Sequence, residues 1–171
     1  PIHSDNSNIV DKSLCILDDL IKKASLIKVS DIVVPCVDQS SLKNKEDIDN
    51  FVNNIKSIIK TAEHLGVNIC LETDLEPKVF ANMLDAIGSR NVTVNYDIGN
   101  SAALGFDVEK EFYAYGRRIL NVHVKDRIFN YVKCMESNEI LLKVSQFYPY
   151  KKFDEGTIPE LDNYLKSNYI V

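Results

Sequence analysis

The sequence predicts an α/β fold in which a parallel sheet is covered by helices. Three observations carry this. Amphipathic helical stretches alternate with short β-branched runs along most of the chain. The strand-like runs are near-continuous apolar stretches rather than simple alternations, as expected of strands buried on both faces. Three of these runs also end in ligand-type residues, Glu72, Asp97 and His123.

The elements follow in order. Residues 9–28, IVDKSLCILDDLIKKASLIK, place Leu14, Leu17, Leu20, Ile21 and Ala24 on one helical face. DIVVPCVD is a strand closing at Asp38. The cleanest helix is 45–65, striped by Ile48, Phe51, Val52, Ile55, Ile58, Ile59, Ala62 and Leu65 and capped by Gly66. VNICLETD is the next strand, with Glu72 and Asp74 at its end. Pro77 opens a helix that buries Phe80, Met83, Leu84 and Ile87 and stops at Gly88. VTVNYDIGN is the third strand, running into Asp97 and a turn at Gly99-Asn100. DVEKEFYAYGRR is a short helix with Asp107 as N-cap. ILNVHVKDR is the fourth strand, ending in His123, Lys125, Asp126 and Arg127. Beyond it the pattern weakens: NEILLKVSQFYPY reads as a strand or a helix end, IPELDNYLKS as a short helix and NYIV as a last strand.

Composition bounds the function. A chain of 171 residues, 45% hydrophobic and 26% charged, is a soluble globular domain. A net charge of −5 argues against broad binding to nucleic acid or an anionic membrane. No apolar run approaches the roughly 18–20 residues of a membrane span. The opening PIHSDNSNIV has neither the basic nor the apolar region of a signal peptide, and it lacks an initiator Met, as a processed chain or an internal piece would. Cys15, Cys36, Cys70 and Cys134 form no C-x-x-C pair. They read as reduced thiols, with Cys36 and Cys70 in the core, and point to the cytoplasm.

Glu72 lies 25 residues before Asp97, and Asp97 lies 26 before His123, one βα unit each time. Parallel strands point the same way, so the three gather at the C-terminal edge of the sheet, where sites of α/β folds form. Singly, each reads as a helix cap or a rim residue; together they suit a divalent cation such as Mn²⁺, Co²⁺, Zn²⁺ or Fe²⁺, with Mg²⁺ less natural beside a His. Lys125 and Arg127 are placed for a phosphate or sugar hydroxyl, or for a surface salt bridge. Asn100 is either a turn residue or a hydroxyl-binding group. His64 suits the C-terminal dipole of its helix, His3 stands in an unassigned segment, and Tyr113 and Tyr115 read as packing. No P-loop, Rossmann or G-x-S-x-G fingerprint is present, so no nucleotide cofactor is expected.

VPCVDQSSL, LETD, NYDIGNSAALGFD and NVHVKDR, in this order, resemble the sugar-phosphate isomerase/epimerase group of the xylose isomerase-like barrels. The resemblance covers residues 1–127 and leaves 128–171 as a divergent tail, so 1–171 is expected to form one partial domain. It implies a (β/α)8 TIM barrel, present here as about four βα units where a whole barrel takes about 250 residues. It also implies one divalent metal ion held by a Glu, an Asp, a His and a second Glu. By motif match Glu72, Asp97 and His123 are the first three, and Glu72 is also the candidate proton shuttle. The implied chemistry is proton transfer next to a carbonyl through an enediolate. No second Glu matches; Glu136, Glu139, Glu155 and Glu160 are candidates by residue type alone.

The main expectation is therefore a metal-dependent isomerase or epimerase that takes a sugar or sugar phosphate, with homo-oligomers left open. Two rivals stand beside it. One is an apurinic-site endonuclease-like enzyme, which needs more His ligands than the three His of this chain supply. The other is an inactive barrel fragment that binds a sugar or a partner chain. Open sheet edges in an incomplete barrel favour association.

Overall fold

The computed structural model describes residues 1–124 and, as strands, 129–133 and 140–144. The chain divides into two compact units, Pro1–Lys125 and Asp126–Val171.

The first unit is a four-stranded parallel sheet of order β1-β2-β3-β4 with helices between the strands. Helix α1 (Ser7–Leu26) starts at the Asn6 side chain, which accepts from the Asn8 N–H. It leads into β1 (Asp31–Cys36). Helix α2 (Lys45–Leu65) is capped by Asn44 and ends at Gly66, whose φ of 67° is the left-handed conformation that favours glycine. Strand β2 (Asn68–Thr73) follows, then α3 (Pro77–Ile87) with Pro77 in its first turn. Strand β3 is Val92–Asp97, followed by α4 (Ile98–Leu104) and α5 (Val108–Tyr115). Asp107 caps α5 by accepting from the Glu109 and Lys110 N–H groups, as its sequence position predicts. Strand β4 is Ile119–His123.

The core lies between sheet and helices. Ile21, Phe51, Ile55 and Ala62 from α1 and α2 meet Ile69 and Leu71 of β2 and Val92, Val94 and Tyr96 of β3. Each large apolar side chain so buried contributes about 1.5–3 kcal/mol. Leu20, expected on the inner face of α1, is instead 46% exposed. Tyr115 packs edge-to-face on Phe80, but Tyr113 is 94% exposed, so only one of the two tyrosines assigned to packing does pack.

Three other readings change. Gly99-Asn100 is not a turn but the first turn of α4, with Asp97 as its N-cap. The strand expected to close at Asp38 ends at Cys36, and Asp38 opens a 3-10 turn in a left-handed conformation with φ 54°. The strands also alternate more than an apolar-run reading allows. Ile69, Leu71, Val92, Val94 and Tyr96 belong to the core cluster, whereas their neighbours Cys70, Glu72, Thr93 and Asn95 hydrogen-bond to one another, and to Asn121 and His123, on the other face. That face is polar along three strands.

In the second unit β5 (Phe129–Lys133) pairs antiparallel with β6 (Ile140–Val144), from Phe129 opposite Val144 to Lys133 opposite Ile140. The ambiguous stretch after residue 138 thus begins as a strand; the short helix and last strand expected near the C-terminus lie outside the described residues.

Candidate metal centre

Register brings the ends of β3 and β4 level, with Glu72 of β2 one step further down, beside Asn95. Strand β2 follows β3 with Leu71 opposite Val94, and β3 pairs with β4 so that Asp97 stands opposite His123. An irregularity between Val94 and Asn95 shifts β4 by one residue, which sets Asn121 beside Asn95 and His123 beside Asp97. Ligand atoms of Glu72, Asp97 and His123 consequently all lie within 4.8 Å of one another. Glu72 and Asp97 are buried, while the His123 side chain is 49% exposed and marks the solvent side of the cluster.

Two amides clamp Glu72. Asn95 Nδ2 donates to its Oε2 at 2.7 Å and Asn100 Nδ2 donates to its Oε1, also at 2.7 Å. Both carboxylate oxygens therefore receive an N–H, the arrangement an ionised, acceptor-only carboxylate takes. Asn95 Nδ2 also lies 2.9 Å from His123 Nδ1, which is itself 3.2 Å from Glu72 Oε2. The ring accepts from Asn95 when its proton is on Nε2 and donates to Glu72 when it is on Nδ1. Asp97 Oδ1 accepts from the Asn100 N–H at 2.9 Å, so one residue caps α4 and faces the cluster.

A second buried group stands behind this corner. Glu111 of α5 is 1% exposed and accepts hydrogen bonds from the hydroxyls of Tyr96 (2.9 Å), Tyr115 (2.8 Å) and Ser101. Tyr96 precedes Asp97 and Ser101 follows Asn100, so Glu111 ties down both flanks of the β3–α4 corner. Burial raises the Tyr96 and Tyr115 hydroxyls above the usual tyrosine range, and the Glu111 carboxylate adds to the effect. Beside β2, burial pushes the Cys36 thiol up to about 12, with Asp74 and Glu72 contributing. Cys70 is raised as well, by burial first, although Thr93 and Asn121 hydrogen-bond to its sulfur.

Of the residues singled out from sequence, Glu72, Asp97, His123 and Asn100 are thus brought together. Lys125 and Arg127, and the four tail glutamates, lie outside the described residues. Asn95, Glu111 and Ser101 escaped notice. Asn95 carried a signal, since it shares a strand face with Asp97 at a spacing of two.

The donor set of two carboxylates and an imidazole fits a divalent cation. So does a buried atom: Asn95 Oδ1 has no hydrogen-bond partner among the described residues, beside a cluster of anionic and imidazole ligands.

The model of one family, described as xylose isomerase-like TIM barrel, matches residues 1–159. The chain belongs to that family. The partial barrel of four parallel strands is accordingly a xylose isomerase-like fold. Among solved structures, the chain is similar to the IOLI protein with a bound zinc atom, at 18% identity and a TM-score of 0.64 over 74% of this chain and 48% of that one. It is similar to D-psicose 3-epimerase with D-tagatose from Clostridium cellulolyticum H10, at 17% identity and 0.61 over 71% and 47%. A D-tagatose 3-epimerase-like protein matches at 23% identity and 0.56 over 73% and 52%. These likenesses show a shared fold, and the chain spans about half the length of the structures it matches. A search of curated proteins finds no similar sequence. Among the described residues no helix is long and apolar enough to cross a membrane.

Proposed function

We propose that this chain is a divalent-metal-dependent sugar or sugar-phosphate isomerase/epimerase domain, working by proton transfer next to a carbonyl. The observation that carries the reading is the convergence of Glu72, Asp97 and His123 within 4.8 Å at the C-terminal edge of a parallel sheet. Fold relatives that include an epimerase with D-tagatose and a protein with a bound zinc atom support it.

In this reading Glu72, Asp97 and His123 hold the cation, of which Mn²⁺, Co²⁺, Zn²⁺ and Mg²⁺ are the candidates. When bound, the cation polarises a carbonyl oxygen and offsets negative charge developing there. Glu72 moves the proton. The Asn100 amide fixes the direction of its carboxylate, so that its lone pairs meet the substrate in one orientation. Asn100, Lys125 and Arg127 contact substrate hydroxyls or a phosphate. Two of the protein's own features keep the site ordered without substrate: the Asp97 cap on α4 and the Glu111 network behind it.

The test combines binding and turnover. Mn²⁺ should bind the 171-residue chain in calorimetry, and a panel of ketoses and ketose phosphates should show isomerisation or epimerisation that EDTA stops. Glu72→Gln should abolish turnover without unfolding the chain. Full activity in that variant refutes the assignment.

A further inference from the structure

Asn95 lies inside the cluster, is 2% exposed, and uses only half of its amide. Its Nδ2 serves Glu72 Oε2 and His123 Nδ1, while its Oδ1 is buried with no hydrogen-bond partner among the described residues. A buried acceptor left in that condition calls for a physical account. Amide nitrogen and oxygen are nearly alike in size, so half a turn of the amide exchanges them without moving the strand.

The three inner atoms have metal-site spacing. Asn95 Nδ2, Glu72 Oε2 and His123 Nδ1 form a triangle with sides of 2.7, 2.9 and 3.2 Å. Ligand atoms held about 2.1 Å from a six-coordinate cation stand about 3 Å apart along each edge of the octahedron. The triangle therefore matches one face of such a site, with the Asn95 amide at one corner. A nitrogen bearing two hydrogens repels a cation at that corner, whereas a carbonyl-type oxygen is a ligand that Mn²⁺ and Mg²⁺ accept.

Resting on the metal-binding reading above, we propose that Asn95 is a further, neutral oxygen ligand whose amide reverses when a divalent cation enters. In the metal-free chain its NH2 group occupies the corner and holds Glu72 and His123 at ligand spacing. In the loaded chain Oδ1 takes that corner. One β3 face thereby supplies two ligands, Asn95 and Asp97, from positions two apart, so a neutral donor joins the two carboxylates and the imidazole.

Two variants separate this from a role as a hydrogen-bond donor alone. Asn95→Ala removes nitrogen and oxygen; Asn95→Asp removes the donor and keeps an oxygen in place. Mn²⁺ affinity, read by calorimetry, should fall at least 10-fold in Asn95→Ala and be kept or raised in Asn95→Asp. An Asn95→Asp variant that loses as much affinity as Asn95→Ala, while the wild-type chain binds, overturns the proposal. Should either variant fail to fold, the wild-type chain decides. The Asn95 side-chain NH2 protons should move upfield in NMR spectra as Zn²⁺ saturates the site, because they leave both acceptors. Protons that stay in place overturn the ligand role. A wild-type chain that binds neither Mn²⁺ nor Zn²⁺ overturns the functional reading itself, and this proposal with it.

Discussion

Replacing Glu111 by leucine tests whether the buried carboxylate holds the β3–α4 corner. Three hydroxyls donate to it, from Tyr96, Ser101 and Tyr115. Each bond to a charged acceptor contributes about 1.5–3 kcal/mol. Removing the carboxylate also removes several kcal/mol of burial cost, so the sum over three bonds overstates the loss. The Tyr96 hydroxyl already lies 3.3 Å from Ser101 Oγ, and those two groups pair with each other once Glu111 is gone. The Tyr115 hydroxyl, on a 6% exposed side chain, is left without its acceptor, which costs about 1–3 kcal/mol. The net expectation is a loss of about 2–4 kcal/mol, set against a typical total of about 5–15 kcal/mol. With a urea slope of about 2 kcal/mol/M, the midpoint falls by about 1–2 M. Tyr115→Phe in the same background removes the stranded hydroxyl, so the double variant should recover about 1–3 kcal/mol relative to the sum of the single losses. Urea melts of the four proteins followed by circular dichroism measure this directly. Additive losses, or a wild-type midpoint in Glu111→Leu, refute the account of Glu111 as the tie behind the site.

Two further outcomes follow from the same geometry. Asp97→Asn keeps an oxygen for the α4 cap, so its melting temperature should stay within a few degrees of wild type while Mn²⁺ affinity drops at least 10-fold; Asp97→Ala should lose the affinity and also about 1 kcal/mol of cap stability. Cys36 links stability to alkaline pH. Its folded-state thiol is raised from 9.0 to about 12, so above pH 9 the unfolded chain loses that proton first and the folded chain binds more protons. Stability then falls as pH rises through the window between those values. From pH 8 to pH 10 this one group costs about 1.4 kcal/mol. Urea midpoints at the two pH values should show a smaller drop in Cys36→Ala than in wild type, with Cys70, also raised by burial, keeping part of the slope. Equal drops in the two proteins exclude Cys36 as the source.

The fold was legible in the sequence wherever a local pattern decides the structure. The α2 stripe, the Gly66 and Gly88 stops, Pro77 at a helix start and Asp107 at another are all effects of a few neighbouring residues, and each stands where the pattern puts it. The convergence of Glu72, Asp97 and His123 was legible for a different reason: a spacing of one βα unit returns each residue to the same edge of the sheet, although the exact register, including the irregularity between Val94 and Asn95, was not. What escaped reading depends on partners far apart in sequence. Glu111 looks like an ordinary charged residue on a surface helix, and only the distant Tyr96 and Ser101 hydroxyls make its burial tolerable. Tyr113 and Tyr115 differ only by where α5 meets α3, which the two residues cannot encode by themselves.

Asn95 is the instructive case, because its signal was present and hidden by the way the strands were read. Taken as apolar runs, NICLET and VTVNYD show little besides their acidic ends. Taken with period two, they separate into Ile69, Leu71, Val92, Val94 and Tyr96 on the core side and Cys70, Glu72, Thr93, Asn95 and Asp97 on the other. The second set, continued by Asn121 and His123 of β4, is a polar surface that leads up to the ligand cluster. Barrel interiors are ordinarily filled by bulky branched side chains. An interior face that is polar for several residues below the rim gives up that packing, and the gain is a set of amides and hydroxyls fixed next to the carboxylates they orient. The same economy explains why Asp97 serves α4 and the cluster together, and why Asn100 spends its amide on Glu72. On this sheet the residues that build the corner and the residues proposed to meet a cation are the same residues, so a substitution designed to probe one role has to be matched by a second that spares the other.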